Sequence, residues 1–348
     1  MVYMTDSNKF VACIANNSTT QNLYLDSACE LSKIDRKNHK QVSDKGVPLV
    51  YDLMVTVTSP LNKLSASSTN PGLQATGVVK TAPLNWQTRN AVRMAHFTRE
   101  DLRKEAGVVK GSIGRYAKNL RCNLDPTMYG VLNAPGENLG AAAQPSDQRI
   151  YAQTDITVSS VNNLGHAGTR FAGGEWGYTQ LAQVKSGDAN TANQFFLNIC
   201  ESHSAAAPGP YDYIGLLQAY NQRRQTTLDD STLTSGGDTQ FIENDSPFFR
   251  IPEQDVSEDA YVQVTLNEQD SPPYDRDIGT ASSPADSKEA QPCEFFQLTD
   301  VQATASFRVQ APLGLVKFEL SDLLGSGTTN TDRQFLTFEI ECLGTYEM

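Results

Sequence analysis

The 348-residue chain lacks several features that would assign it to a common class of protein. Its apolar runs, such as FVACIA at residues 10–15, fall far short of the roughly 20 residues of a membrane span. The same run has no basic region before it, so we expect no secretory signal. The two ends of the sequence, MVYMTDSNKF and LGTYEM, carry no polybasic arm, and the net charge is −12. The sequence therefore predicts a protein made in a cytoplasm that is not a general polyanion binder.

Residues that commonly hold metals are few and widely scattered. No CxxC pair and no HxH or HxxxH pair occurs, so the sequence predicts neither a metal site nor a cofactor. In a cytoplasm the cysteines are expected to be small buried apolar residues rather than disulfides. The histidines are expected at the surface or at interfaces. These residues are Cys13, Cys29, Cys122, Cys200, Cys293 and Cys342, and His39, His96, His166 and His203.

Catalytic signatures are also missing. There is no GxSxG nucleophile elbow and no Walker A loop, and the Asp-rich loops do not have EF-hand spacing. A glycosidase needs two carboxylates in a cleft, which the sequence alone leaves open. Trp86 and Trp176 are the two tryptophans, and this is few for sugar stacking. We therefore predict no catalytic residue.

Most of the chain alternates apolar and polar residues with a period of two. Residues 49–57 (LVYDLMVTV) show this pattern best, and it is typical of a strand with one buried face. About a dozen such segments predict an all-β protein with mainly antiparallel sheets. The other clear segments lie at residues 150–158, 262–266, 301–309, 316–320 and 338–342, and weaker ones at 10–15, 22–31, 77–81, 176–184 and 195–200.

One basic helical segment interrupts this β pattern. Residues 84–107 (LNWQTRNAVRMAHFTREDLRKEAG) contain no proline and repeat apolar residues at helical spacing, and Gly107 is a natural stop. From Arg89 to Arg121, nine Lys/Arg accompany three Asp/Glu. A nucleic-acid patch is one interpretation, but we favour a junction between domains or subunits. The predicted interface residues are Arg89, Arg93, Arg99, Arg103 and Lys104.

The length of the chain favours two domains rather than one core. A second, shorter helix is predicted at residues 213–224 (YIGLLQAYNQRR). Long polar stretches, for example residues 269–292, separate the strands and are typical of a rigid β-scaffold whose loops build an outer surface.

Several short segments, taken in order, resemble the double jelly-roll major capsid proteins of tailless icosahedral viruses with an internal membrane, in their phage and environmental branch. The segments are LNWQTRNAVRMAHFTREDLRKEAGV (84–108), GGEWGYTQL (173–181), IGLLQAYNQRR (214–224), NEQDSPPYD (267–275), APLGLVKFEL (311–320) and ECLGTYEM (341–348). Together they span about three quarters of the chain. Their order and spacing carry the resemblance.

This resemblance implies an all-β fold of two side-by-side, eight-stranded antiparallel jelly rolls with a few short helical insertions. The first would occupy residues 1–165, including the insertion at 84–107, and the second residues 166–348. The implied function is a major capsid protein that forms pseudo-hexagonal homotrimers in an icosahedral shell. Its partners would be other copies of itself, vertex (penton) and minor capsid proteins and, indirectly, an internal membrane, with no sequence-specific nucleic acid. Its location would be the virion, assembled in the host cytoplasm.

Two other classes compete with this interpretation. A receptor-binding or spike-type β-sandwich protein would carry fibre-like repeats or an attachment stalk, and neither is visible in the sequence. A carbohydrate-active β-sandwich enzyme would need a close carboxylate pair beside a stripe of aromatic residues. Both remain alternatives at this stage.

Overall fold

The computed structural model describes residues 8–14, 20–35, 37–58, 75–114, 118–128, 148–149, 151–152, 176–184, 192–201, 213–225, 289–299, 302–321 and 334–348. These ranges contain thirteen β-strands and three α-helices, and nearly all strand pairs are antiparallel. The prediction of a mostly antiparallel β protein with few helices is therefore confirmed. The predicted strand at residues 262–266 lies outside the described ranges.

The strands are β1 (Asn8–Ile14), β2 (Thr20–Asp26), β3 (Leu49–Thr58), β4 (Ala75–Thr81), β5 (Gln148–Arg149), β6 (Tyr151–Ala152), β7 (Gln180–Val184), β8 (Ala192–Asn198), β9 (Tyr213–Gly215), β10 (Gln291–Leu298), β11 (Thr304–Pro312), β12 (Leu315–Ser321) and β13 (Gln334–Glu347). The helices are α1 (Ser27–Asp35), α2 (Trp86–Glu105) and α3 (Leu216–Gln225).

Two five-stranded sheets and one three-stranded sheet contain all of these strands. The first sheet has the order β11-β3-β13-β1-β6, the second β10-β4-β12-β2-β5 and the third β7-β8-β9. The pairs β2/β5 and β8/β9 are parallel, and the other named pairs are antiparallel. In both large sheets, strands that precede residue 82 alternate with strands that follow residue 290.

This pairing joins distant parts of the chain. Asn8 of β1 lies opposite Ile340 of β13, and Leu23 of β2 lies opposite Phe318 of β12. Strands from both sides of residue 165 thus share the two large sheets. The boundary proposed at that residue stays a prediction.

A core of apolar side chains fills the space between the two large sheets. Phe318 and Phe338 are fully buried there, with their ring centroids 5.1 Å apart. Val309 and Ile340 are buried in the same core, and Phe307 packs against it with its ring stacked on that of Phe296 at 5.4 Å. The alternation in the sequence therefore assigned the inward face of β11, β12 and β13 correctly.

A second core covers the opposite face of the β10-β4-β12-β2 sheet. It joins Tyr24 and Leu315 of that sheet to buried residues of α2, β9 and α3 and to residues 120–128 and 197–200. The side chains of β12 from Leu315 to Phe318 are consequently buried on both faces. Helices α2 and α3 pack together in this layer, where the ring of Trp86 meets that of Tyr220 edge-on at 6.2 Å.

Helix α1 corrects one expectation. The weak strand predicted at residues 22–31 ends at Asp26, and a helix begins at Ser27. The Asp26 carboxylate accepts a hydrogen bond from the backbone N–H of Cys29 (3.0 Å), as an N-cap residue does. The apolar residues that predicted one strand thus belong to a strand and to the helix that follows it. The helix predicted from Tyr213 similarly begins at Leu216, after the short strand β9.

Candidate interface around the basic helix

Helix α2 has sharp ends that its sequence explains. The Asn85 side chain accepts a hydrogen bond from the Thr88 backbone N–H (3.0 Å) and caps the first turn. At the other end Gly107 has φ +68°, and its N–H donates to Lys104 O while that of Val108 donates to Arg103 O, both at 2.9 Å. This is a Schellman motif, for which glycine is the preferred residue.

The buried face of α2 follows the helical spacing of the sequence. Ala91, Met94, Ala95 and Thr98 all lie in the protein interior. Helix α2 is therefore held by the second core along one side. Of the five basic residues that the sequence singled out, Arg99 is buried as well, and the other four are partly or fully exposed.

The five basic residues divide into two groups along α2. Arg89 and Arg93 lie on its first half and are half-buried, with the Arg93 guanidinium 6.0 Å from the centroid of the Phe97 ring. Arg99, Arg103 and Lys104 lie on the second half. The structure therefore brings three of the five together near the C-terminal end of the helix, where positive charge also suits the helix dipole.

The second group is paired within the chain. Arg99 is buried and its Nη1 donates to the backbone O of Lys118 (2.9 Å), and burial, with the charge of Arg103 adding to it, lowers the Arg99 pKa to about 10. Arg103 meets Glu100 at 3.0 Å, and Lys104 meets Asp101 at 2.9 Å. The Lys104–Asp101 pair is largely exposed, and pairs of this kind contribute only about 0.3–0.5 kcal/mol. The side chains of Arg103 and Glu100 are each only about one-fifth exposed.

A groove of about 440 Å³ opens beside this end of α2. Its apolar walls include Val42, Phe97 and Leu120, and four cationic side chains accompany two carboxylates around it. The charged residues are Lys45, Arg103, Lys104, Lys118, Asp44 and Glu100. The groove is thus locally positive in a chain whose net charge is −12.

Val108 and Ile113 also line the groove, and the chain beside them exposes apolar surface. Val109 is 69 % exposed, the highest value among the large apolar side chains of the described residues, and Val108 is 40 % exposed. Lysines 45 and 118 are both exposed on the groove. An exposed surface that is both apolar and basic is more typical of a contact with another protein than of a surface that faces only solvent.

A buried polar network, which the sequence did not predict, anchors the segment at residues 176–179 to the sandwich. Asp26 Oδ2 accepts hydrogen bonds from Tyr178 Oη (2.7 Å), Trp176 Nε1 (3.2 Å) and Gln41 Nε2 (3.2 Å). The Arg121 guanidinium lies 3.9 Å from the centroid of the Trp176 ring, and its Nη1 donates to Gly177 O (3.1 Å). No local signal could have revealed this network, because its members lie up to 152 positions apart.

A second buried network links Asp125 to Lys317 and Glu319 of β12. Lys317 Nζ lies 3.2 Å from Asp125 Oδ2 and 3.2 Å from Glu319 Oε1, and Tyr24 Oη donates to Asp125 Oδ2 at 3.0 Å. Burial lowers the pKa of Lys317, but the charges of Asp125 and Glu319 outweigh it and raise the pKa overall. Every charge in this cluster has an opposite partner, which is typical of a structural network.

Most of the described cysteine side chains are buried. Cys122 and Cys200 are fully buried, and burial raises the pKa of Cys122 to about 12, so its thiol stays protonated. Five cysteines among the described residues are free thiols. Cys29, Cys122 and Cys200 are buried as predicted, whereas Cys293 is exposed, so the prediction of burial is wrong for that residue. Within the same residues, no three His, Cys, Asp or Glu side chains come together as metal ligands would. None of the described helices has the length and apolar character needed to cross a bilayer.

Comparison of the chain with protein-family models, with curated proteins and with solved structures gave no match. The fold and the groove are therefore the observations on which a function can be proposed.

Proposed function

We propose that this chain is a structural protein that assembles with copies of itself into a closed shell. More particularly, we propose that it is the major capsid protein of an icosahedral virus, of the double jelly-roll kind that its sequence resembles. It has no catalytic role in this proposal. Its role in this proposal is to form large buried contacts with neighbouring copies.

The order of the strands is the observation that carries the proposal. The eight long strands of the two large sheets are β1–β4 and β10–β13. Taken in chain order as one to eight, they pair as one-eight-three-six in one sheet and two-seven-four-five in the other. A jelly roll, the common sandwich of viral capsid proteins, has this order. It supports a jelly roll built from residues 8–81 and 291–347.

The resemblance implies a second jelly roll, which the sequence analysis put at residues 166–348. If residues 8–81 and 291–347 form one jelly roll, the second would instead lie in residues 82–290, between β4 and β10. That stretch supplies β5 and β6 to the edges of the large sheets, and it also contains β7–β9, α2 and α3. Its buried residues cover the outer face of the β10-β4-β12-β2 sheet. A large layer inserted between two jelly-roll strands suits a shell protein, since it enlarges the surface available for contacts.

Exposed apolar side chains support contacts between copies. Large apolar residues are exposed in the described parts of both large sheets and of the helical layer. They are Met54, Leu84, Val108, Val109, Phe295, Leu343 and Tyr346. Surfaces of this kind commonly mark protein interfaces.

In this proposal three copies form a pseudo-hexagonal homotrimer, and trimers pack with vertex and minor capsid proteins around an internal membrane. The virion is the final location, and assembly takes place in the host cytoplasm. Interfaces that bury more than ~2,000 Å² are typical of obligate assemblies, so we expect the trimer to be the folded unit.

Light scattering coupled to size-exclusion chromatography tests this proposal. We expect a species of about three times 38 kDa that persists on dilution to micromolar concentration, and shells in electron micrographs at high concentration. A folded monomer at all concentrations would contradict the proposal and would favour the alternative of a binding protein or an enzyme.

A further inference from the structure

The groove beside α2 has the charge and shape of a receptor for an acidic segment that carries an apolar side chain. Its apolar floor contains Phe97 and Leu120. Lys45 and Lys118 lie on the groove, and they take part in none of the ion pairs found among the described residues. An acidic ligand would supply the counter-charges that these two lysines lack within the described structure.

One exposed segment of the chain has the complementary properties. Residues 341–347 of β13 are paired with β3. Leu343 and Tyr346 are each 42 % exposed there, and Glu341 and Glu347 add two negative charges. Exposed apolar side chains of this size, flanked by acidic residues, are a ready contact surface.

We propose that the groove of one copy receives residues 341–347 of a second copy, with Leu343 or Tyr346 against the apolar floor and Glu347 near Lys118. The segment cannot fill the groove of its own chain, since it is held in register against β3, with Tyr346 opposite Val50 and Glu347 opposite Leu49. The contact is therefore between two different surfaces. Such a contact closes into a ring if the rotation between copies permits. The inference rests on the self-assembly proposed above.

A charge exchange across the contact tests the inference. Lys118→Glu and Glu347→Lys are each expected to raise the concentration for half-association about tenfold, because each places like charges together. The double variant restores opposite charges and is expected to return to within about threefold of the wild type. Glu294→Lys makes the same change at an exposed position of β10 and serves as the control, with wild-type association expected.

A second measurement separates this inference from the proposed function. A labelled, end-capped peptide of residues 339–348 should bind the protein in fluorescence anisotropy, weaken with added salt and lose about tenfold in affinity with Lys118→Glu or Lys45→Glu. If the wild type stays monomeric, the proposed function is contradicted. The binding of the peptide is then the one measurement that tests the groove inference. If the wild type associates while all the charge variants associate equally well and the peptide does not bind, the groove inference is overturned and the proposed function stands.

Discussion

At the scale of residues, the Asp26 carboxylate is a buried charge that depends on several hydrogen-bond donors. It is fully buried, it caps α1, and it accepts side-chain hydrogen bonds from three residues that the chain brings from elsewhere. A buried charge of this kind is stable only while its partners remain. Asp26 therefore couples α1, the segment at residues 176–179 and Gln41 into one unit.

Asp26→Asn tests this coupling with almost no change in shape. In the variant, an amide N–H₂ group would face hydrogen-bond donors where a carboxylate oxygen had accepted from them. The negative charge that offsets Arg121 would also be lost. We expect the free energy of unfolding to fall by ~3–5 kcal/mol, measured by urea denaturation with Trp fluorescence. Asp101→Asn, on the exposed side of α2, is the matched control, and a loss of equal size there would contradict the argument.

The pair of Asp52 and Arg308 predicts a dependence of stability on pH. Arg308 Nε donates to Asp52 Oδ1 at 2.6 Å, and this hydrogen bond is the main cause that lowers the Asp52 pKa below its ordinary value of 3.8. A lowered carboxyl pKa contributes stability above the unfolded value, and this contribution is lost as the pH falls through the folded value.

Arg308→Gln should therefore reduce the melting temperature at neutral pH by a small amount, since the Arg308 side chain is 57 % exposed and water screens the pair. The difference between wild type and variant should shrink as the pH is lowered below about 4. Calorimetric scans from pH 7 to pH 3 measure it. A difference that grows in acid would show that the pair does not act in this way.

At the scale of elements, features that neighbouring residues determine, such as strand phases, could be predicted from the sequence. Features that distant residues determine, such as the groove, could not. The phases of β3, β11 and β13 followed from alternation. The end of α2 followed from Gly107, while its first residue, Trp86, lies two positions after the predicted start at Leu84. Helix α1 was missed because its apolar residues continue those of β2. A cue was present in Asp26 followed by Ser27 and by Glu30 in the first turn. The groove joins α2 to residues 42–45 and 118–120 and to Val108 and Ile113, which no local pattern relates.

The phase of β13 can be tested with two substitutions three residues apart. Phe338→Ala leaves a cavity beside Phe318 in the sandwich core and should cost ~3–5 kcal/mol, with less soluble protein recovered. Glu341→Ala lies on the opposite face of the strand and should change stability by less than ~0.5 kcal/mol. Thermal unfolding compares the two. Equal losses would mean that the strand is shifted in register.

At the scale of the whole molecule, the strand order makes the sandwich depend on both ends of the described chain. Strand β13 lies between β3 and β1, and β12 lies between β4 and β2. Removal of residues after 290 would leave the four strands that precede residue 82 without their central neighbours. The inserted layer would lose its support as well, because Tyr24 and Leu315 belong to its core.

Expression of fragments 1–165 and 166–348 tests the boundary that the sequence suggested. From the pairings we expect neither fragment to fold alone, while co-expression should yield a soluble complex in which the two halves are held by the β1/β13 and β2/β12 ladders. Circular dichroism and co-purification measure this outcome. A fragment 1–165 that is folded and monodisperse would instead establish an independent first domain.

The pairing of early strands with late ones also has a consequence for synthesis on the ribosome. Strands β1–β4 are complete by residue 81, but the four long strands that pair with them, β10–β13, begin at residue 291. At ~5–20 residues per second, translation of the intervening stretch takes on the order of 10–40 s. Through that interval the early strands have exposed edges and no sheet to join, and contacts of such high sequence separation also form slowly. The nascent chain should therefore depend on chaperones until β12 and β13 emerge.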